Sequence, residues 1–367
     1  MSMPIVDYTP KLFWDLSAMV AQIPGPLNLA HRPFVDYYYA TREWSKLYLY
    51  YSDSGKVIGT LGRELAPFEY DSHGLTLRIA SNWYSLGGVG ILLSRYSAVS
   101  NPDSTGLLFT GSQSSLAVLR IMNWIFVPGI RGYFLNKPYR MYPGESKWKS
   151  AAKSILRGVT RRRISSFAAR IPSQIFAEIR VREEGSYAHD LLPARSPFLF
   201  RFAPSAEYLS WRYNLSLPFI RYRLFRVTAR GATVGYVIVS DSPEGIIVAQ
   251  CDGEDAAALA YGVLLSILEV GREDQQPRSV YLACCHSEMK KIFQQFGFRE
   301  DGGDLPFAFR NPPPHVDLSL GTSRWLVNFD CGDNGLRQPF RDRGGRSPEG
   351  QISDQIEQLL QHRQNAR

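Results

Sequence analysis

The chain has 367 residues and carries 42 Lys and Arg against 34 Asp and Glu, which gives a net charge of +8. A hydrophobic content of 44% with 21% charged residues excludes an intrinsically disordered chain and indicates a globular protein. The length is sufficient for two domains, each with a hydrophobic core of its own.

Membrane-spanning, exported and metal-binding proteins are disfavoured by the same sequence. The apolar run at 256–268 has 13 residues and is too short to cross a bilayer. The first residues lack the basic and then apolar pattern of an export signal, so we expect a cytoplasmic protein. The cysteines show neither paired spacing nor a disulfide framework, and no His/Cys/Asp cluster has metal-ligand spacing, so no metal is expected.

The first half of the chain, residues 1–136, shows a succession of β and α patterns after a leading segment. Two β-rich runs flank Asp53-Ser54-Gly55, whose residues favour the turn of a hairpin. They are followed by a third strand at 75–85, a glycine-rich turn at 86–90 and an apolar helix. A buried strand at 106–112 and an amphipathic helical stretch complete the unit.

The segment 137–197 is predicted to be a basic connector. Between Lys137 and Arg182 there are 12 Lys or Arg residues and two acids, a local charge of +10, so the rest of the chain sums to −2. Apolar residues within 145–171 recur at helical spacing beside these cations, which predicts a basic amphipathic helix. These apolar residues are Trp148, Ala152, Ile155, Leu156 and Val159.

The second half, residues 198–334, repeats the pattern of the first. Three β-rich runs in meander order precede the apolar helix at 256–268, a further strand and a further helix. Ser205 is placed to cap a short helix that carries Trp211-Arg212-Tyr213, and Asp252 is placed to cap the apolar helix. Residues 335–367 are polar and are expected to form a disordered tail.

This repeated β–β–β–α–β–α pattern resembles the GNAT acyltransferase superfamily, and more narrowly its tandem-domain members of the envelope-polysaccharide-associated type. The resemblance implies an α/β fold of two tandem GNAT-like domains, each a mostly antiparallel, splayed sheet flanked by helices. In that family a loop of pattern Arg/Gln-x-x-Gly-x-Gly/Ala opens a helix that holds the pyrophosphate of coenzyme A. Its counterpart here is 85–90, where small residues let backbone N–H groups approach phosphate oxygens.

The resemblance therefore implies acetyl-CoA or another acyl-CoA as co-substrate, held by the first half. Ser85 stands where the family has Arg or Gln, and a plain tight turn is the alternative interpretation of this segment. At the corresponding place the second half has acids, Asp252 and Asp255 among them, which would repel coenzyme A. The cofactor-binding residues expected are Leu86, Gly87, Gly88, Val89, Gly90 and Ser112.

The tyrosine that often protonates the departing thiolate in this family falls on Leu119 and Phe293, which cannot donate a proton. Three other residues are the catalytic candidates. Tyr84 could donate a proton beside the thioester, and Asp252 could accept one from an amine. His286 follows the last strand of the second half. For Asp252 the alternative is a helix cap, and for His286 a structural loop histidine.

The function implied by the resemblance is transfer of an acyl group from acyl-CoA to an amine, with acetyl-CoA as the expected donor. The acceptor expected is a small molecule such as an amino sugar, or a lipid-linked cell-envelope precursor. Two alternatives stay open: a catalytically inactive tandem fold that binds partners in an envelope-biosynthesis assembly, and aminoacyl transfer like that of the FemAB relatives. The connector has three interpretations, in order of preference: a solvated bridge, peripheral contact with the inner membrane, and nucleic-acid binding.

Overall fold

The computed structural model describes residues 5–23, 28–86, 90–99, 104–111, 113–136, 148, 163–242, 245–272, 274 and 276–329. Its helices are α1 (Phe13–Val20), α2 (Arg32–Ala40), α3 (Gly90–Val99), α4 (Gln113–Ile121), α5 (Ser173–Glu178), α6 (Ala206–Arg212), α7 (Ala256–Val270) and α8 (Ser287–Gln295). Its strands are β1 (Ile5–Asp7), β2 (Ser45–Tyr51), β3 (Val57–Tyr70), β4 (His73–Ser85), β5 (Gly106–Phe109), β6 (Ile125–Phe126), β7 (Arg131–Leu135), β8 (Ile179–Glu184), β9 (Phe200–Phe202), β10 (Tyr222–Ala229), β11 (Ala232–Ser242), β12 (Gly245–Gly253), β13 (Ser279–Cys284), β14 (Arg299–Glu300) and β15 (Phe307–Arg310).

The first sheet has the order β1-β2-β3-β4-β5-β15-β6, with β9 paired to the end of β3. β2 and β3 form the predicted hairpin, and Gly55 in its turn has a φ of +74°, a conformation that favours glycine. β3 and β4 are antiparallel, whereas β4 and β5 run parallel. The sheet is therefore mostly antiparallel with one parallel pair at its centre.

The second sheet repeats this arrangement in the order β8-β10-β11-β12-β13-β7-β14. β10, β11 and β12 form an antiparallel meander, and β12 and β13 are parallel. The turn between β10 and β11 has positive φ at Arg230 and Gly231, as a two-residue hairpin turn requires. The internal repeat predicted from the sequence is confirmed in the fold.

Each half of the chain contributes to the sheet of the other half, which the sequence did not indicate: β7 lies in the second sheet, and β9 and β15 lie in the first. β7, from the first half, lies between β13 and β14 and is antiparallel to both. β15, from the second half, lies between β5 and β6 in the same way. The two sheets are thus linked by a reciprocal exchange of strands.

Part of the range predicted as connector, 137–197, belongs to the second sheet. β8 lies in this range and pairs along β10, and its Arg180, Arg182 and Glu183 side chains are exposed. A 3-10 helix at Ile164–Arg170 buries Ile164 and Phe167 in the core of the second half. Most of the amphipathic helix predicted at 145–171, and the tail at 335–367, lie outside the described residues.

The inner faces of both sheets meet in one hydrophobic cluster, called here the shared core. It joins α1 and α2 of the first half to α6 of the second half, and Phe200, Phe307 and Trp325 lie near its centre with at most 1% of their surface exposed. A second cluster lies under α7 and α8, and smaller ones lie between the first sheet and α3 and α4. Within the described residues, no helix is long and apolar enough to cross a membrane.

Local sequence signals account for the starts of α6 and α7. The Ser205 side chain accepts a hydrogen bond from the Tyr208 N–H at 3.2 Å and caps α6, as predicted. The prediction that Asp252 caps α7 is wrong, because β12 continues through Gly253. Asp255 is the cap, and its carboxylate accepts from the Ala258 N–H at 2.7 Å.

Candidate functional site

The central strands of the first sheet separate after two residue pairs. β4 and β5 are paired at Arg78 with Gly106 and at Ile79 with Leu107, and β4 then continues to Ser85 without further pairing to β5. The space beyond these pairs is called here the first opening. An extended ligand can lie between two such strands and use their backbone groups as a further strand would.

A β-bulge in β4 lies beside the first opening. The register between β3 and β4 shifts near Asn82, which has a φ of +44°. Its side-chain amide donates to the Tyr39 hydroxyl at 2.6 Å, and its carbonyl accepts from the Thr60 hydroxyl at 2.9 Å. The Tyr39 hydroxyl lies 3.2 Å from the Ser81 hydroxyl. These bonds fix the bulge, which turns the end of β4 away from a flat sheet.

Helix α3 is the next element after this strand and begins at Gly90. The Leu86 N–H donates to the Ile58 carbonyl at 2.8 Å, and the Trp83 indole N–H donates to the Gly90 carbonyl at 3.1 Å. The first turn of α3 is therefore tied to β4 at the mouth of the first opening. The other predicted coenzyme A residues, Gly87, Gly88, Val89 and Ser112, lie outside the described residues.

On the outer face of the first sheet, the face covered by α3 and α4, a cleft of about 40 Å³ reaches the first opening. We call it the outer cleft. It extends from Ala80, Trp83 and Leu108, which lie beyond the last β4–β5 pair, to the row of residues where the two strands are still paired. Other residues that line it are Arg63, Arg78, Trp124 and Arg310.

The second sheet has the corresponding opening, and the chain itself fills it. β12 and β13 are paired only as far as Ile247 and Tyr281, and the segment 325–328 lies in the space beyond. The Asn328 amide donates to the Gln250 side chain at 2.9 Å and to the Cys251 carbonyl at 3.0 Å. The cavity left over is about 10 Å³, the size of a single water site.

Asp252, a predicted base, is buried against an arginine rather than presented to a ligand. Its carboxylate contacts the Arg201 guanidinium and accepts from the Gly253 N–H at 2.9 Å. Arg201 also contacts Glu69 at 2.9 Å, so this cluster joins the first sheet to the second. Burial raises the pKa of Asp252 to about 7, against the opposing effects of Arg201 and the Gly253 N–H.

His286 occupies the N-cap position of α8 but makes no capping hydrogen bond. Its ring meets Phe198 edge-on at 5.2 Å, and its Nδ1 is buried with no partner in the part of the chain that is described. Burial lowers the pKa of His286, so the ring is neutral at pH 7. Asp252 lies on β12 of the second sheet and His286 lies between β13 and α8, whereas Tyr84 lies on β4 of the first sheet, half-buried against the shared core.

The positions that correspond to the family's catalytic tyrosine are core positions here. Leu119 on α4 is 1% exposed, and Phe293 on α8 is 2% exposed, and each packs in a hydrophobic cluster. The residue at the first opening that the sequence did not single out is Tyr39 on α2. The sequence shows a run of three tyrosines at 37–39, but it does not show which of their hydroxyl groups faces the first opening.

Trp211, Arg212 and Tyr213 are structural. Arg212 is fully buried and contacts the Glu64 carboxylate on β3, and it donates to the Tyr38 hydroxyl at 3.0 Å. This network lies in the interior between α2, β3 and α6. No group of His, Cys, Asp and Glu side chains suited to a metal ion occurs in the described ranges.

No protein-family model matches this sequence, and no curated protein matches it significantly. A tandem GNAT protein from the clavulanic acid biosynthesis pathway is similar in fold, with 14% identity and a TM-score of 0.51 over 86% of this chain and 100% of its own. N-myristoyltransferase of Saccharomyces cerevisiae, solved with bound myristoyl-CoA, has 10% identity and a TM-score of 0.53 over 89% of each chain. A GCN5-related N-acetyltransferase from Anabaena variabilis has 8% identity and a TM-score of 0.51 over 84% of this chain and 72% of its own.

The chain therefore has the tandem GNAT fold that the sequence resemblance implied. At these identities the likeness concerns the fold, and any function has to be argued from the site itself.

Proposed function

We propose that the protein is an acyltransferase that takes an acyl group from acyl-CoA at the first opening and passes it to an amine. The observation that carries this proposal is the difference between the two openings. The second is filled by residues 325–328, whereas the first adjoins the outer cleft, a β-bulge and the start of a helix. A single donor site per chain follows.

In this proposal the pantetheine arm lies extended between β4 and β5, where strand backbone groups bind it. The N–H groups at the start of α3 and the helix dipole favour the negative pyrophosphate. The turn at 86–90 then has the role that the sequence predicted for it.

The amine nitrogen attacks the thioester carbonyl, the C–N bond forms, and the C–S bond breaks as the thiolate leaves. In this proposal the backbone N–H groups of β4 near the bulge stabilise the oxyanion. We assign proton donation to the thiolate to Tyr84, whose phenolate then takes up the proton that the amine loses. Tyr39 is a positioning residue that acts through Asn82. Amino sugars and envelope precursors are the first acceptors to assay.

Titration calorimetry with acetyl-CoA, longer acyl-CoAs and free coenzyme A tests the donor site. We expect one molecule per chain, and Gly90→Glu is expected to abolish binding. A Cβ at Gly90 would lie 3.0 Å from the Ser85 hydroxyl and 3.1 Å from the Trp83 indole nitrogen, and the added carboxylate would repel pyrophosphate. Gly74→Glu is the matched control, because a Cβ there has no atom within 4 Å.

Two bound molecules per chain, or unchanged affinity in Gly90→Glu with cooperative unfolding retained, would remove the donor assignment. A second candidate is a tandem fold that binds coenzyme A without turnover. It is favoured by the burial of Leu119 and Phe293 at the catalytic tyrosine positions. Binding without release of free thiol, with every amine tested, would support it.

A further inference from the structure

Three arginines surround one glycine on the outer face of the first sheet. Gly106 on β5 is paired with Arg78 on β4 and with Arg310 on β15, so the three residues form one row across the sheet. Arg63 on β3 is paired with Ala80, two residues from Arg78, and so lies on the same face. Directly paired residues place their side chains side by side, and all three arginines line the outer cleft.

Arg63 and Arg78 lack the carboxylate partner that other buried arginines have in the described ranges. Arg201, Arg212 and Arg278 each contact a carboxylate. In the outer cleft, by contrast, the Nε atom of Arg63 and the Nε and Nη1 atoms of Arg78 are buried without an acceptor. No Asp or Glu of the described ranges lines the cleft.

Burying donors of a cation without an acceptor is unfavourable, and placing like charges together adds to that cost. Burial and the charge of Arg63 both lower the pKa of Arg78. The Trp124 indole N–H is a further buried donor without a partner in the described structure, and its ring covers Gly106, where a Cβ would lie 2.9 Å from it. An anion in the cleft would supply acceptors to all of these groups.

The cleft is continuous with the first opening. On the inner face at the point where β4 and β5 separate, Ile79 and Leu107 are at most 1% exposed and belong to the shared core. On the outer face, Ala80 and Leu108 line the cleft. The acyl group of a thioester bound in the first opening would therefore contact packed side chains on the inner face of the sheet and the arginines on its outer face.

We propose that the outer cleft binds a carboxylate at the far end of the donor's acyl group, so that the donor is the thioester of a dicarboxylic acid. This rests on the proposed acyl transfer and names the class of its donor. The carboxylate is not changed in the reaction: the amine displaces the thiolate at the other end, and the amine proton leaves with it. The arginines select the donor by charge-assisted hydrogen bonds.

The test is calorimetric titration of the full chain with succinyl-CoA and butyryl-CoA, whose acyl groups have the same length and differ in the terminal carboxylate. We expect succinyl-CoA to bind about ten- to a hundred-fold more tightly. Arg78→Met and Arg310→Met are each expected to remove this preference while leaving butyryl-CoA affinity unchanged. Arg120→Met is the control, because Arg120 is exposed on α4 and is not part of the cleft lining.

Thermal unfolding of the same variants separates binding from a structural role. Arg78→Met without ligand should be as stable as the parent or more stable, because it relieves repulsion and breaks no ion pair. Equal affinity for the two thioesters would overturn the inference and leave the proposed function standing. Absence of binding to any thioester would overturn both. If the two thioesters bind equally and free succinate or phosphate raises the temperature of thermal unfolding, the cleft binds a separate anion instead.

Discussion

Replacing Arg212 with Met is expected to destabilise the protein strongly, because it leaves a buried carboxylate without its cation. The Arg212 side chain is 0% exposed and that of Glu64 is 2% exposed. Glu64 also accepts hydrogen bonds from the Tyr38 and Tyr208 hydroxyls, so its charge is held deep between α2, β3 and α6. Met keeps most of the apolar stem of Arg and removes the charge, which confines the perturbation to the ion pair.

The size of the expected loss of stability follows from the burial of the Arg212–Glu64 pair. Removing one partner of a buried ion pair costs about 3–5 kcal/mol, since the remaining charge has been taken out of water. Natural proteins have a total stability of about 5–15 kcal/mol, so this loss is a large fraction of it. Lys46→Met is the control on the surface: Lys46 and its partner Asp7 are 42% and 52% exposed, and such pairs contribute about 1 kcal/mol or less.

Urea unfolding followed by circular dichroism and by tryptophan fluorescence measures these differences. The double variant Arg212→Met with Glu64→Gln should be more stable than the single variant Arg212→Met, because Gln carries no charge and keeps an acceptor for the tyrosines. We expect a coupling energy of about 1–3 kcal/mol between the two sites. If Arg212→Met lowers the free energy of unfolding by as little as Lys46→Met does, the argument that the Arg212–Glu64 pair is buried away from solvent is refuted.

Two further predictions concern pH and membranes. Because burial raises the pKa of Asp252 to about 7, the folded state keeps a proton that the unfolded state releases between about pH 4 and pH 7. The contribution of Asp252 to stability should therefore be greatest near pH 4 and fall as the pH rises to 7, by an amount on the order of a few kcal/mol. Urea unfolding of the parent and of Asp252→Asn at each pH isolates this contribution as the difference between the two, and a difference that does not fall over this interval would contradict it. For the connector, where Trp148 is 76% exposed, we predict salt-sensitive binding to anionic vesicles that weakens when charge is reversed at 161–163. Co-sedimentation checks this, and equal partitioning to neutral and anionic vesicles would leave the segment as a bridge.

The order of strands and helices was predictable because its signals are local. The turns at Gly55 and Gly231, the apolar runs of β5 and α7, and the cap at Ser205 each depend on a few neighbouring residues. The error at α7 shows the limit of such signals. Asp252 and Asp255 both precede the apolar run, and only the residue at which the strand has ended can cap the helix, a boundary that the sequence does not mark.

The parts that the sequence did not predict depend on contacts between distant residues. β7 and β15 are short apolar strands, and nothing in their own residues says that each pairs in the sheet of the other half. The pairing of Arg212 with Glu64 joins residues far apart in the chain, as does the placement of 325–328 against β12. Tyr39 was visible as part of an aromatic run, but its bond to Asn82 exists because α2 packs against the bulge.

The exchange of strands and the filled opening together explain how two similar halves can have different roles. β15 lies in the first sheet, and the chain after it returns to the second sheet, where residues 325–328 fill the second opening. One continuous stretch of the second half therefore belongs to the sheet of the first half and fills the opening of its own sheet. Substitutions in 325–328 should therefore affect the stability of both sheets, whereas changes in the outer cleft affect one. The repeated fold gives this protein two openings between central strands, and the path of the chain after β15 fills one of them, which is why the proposed donor site is assigned to the other.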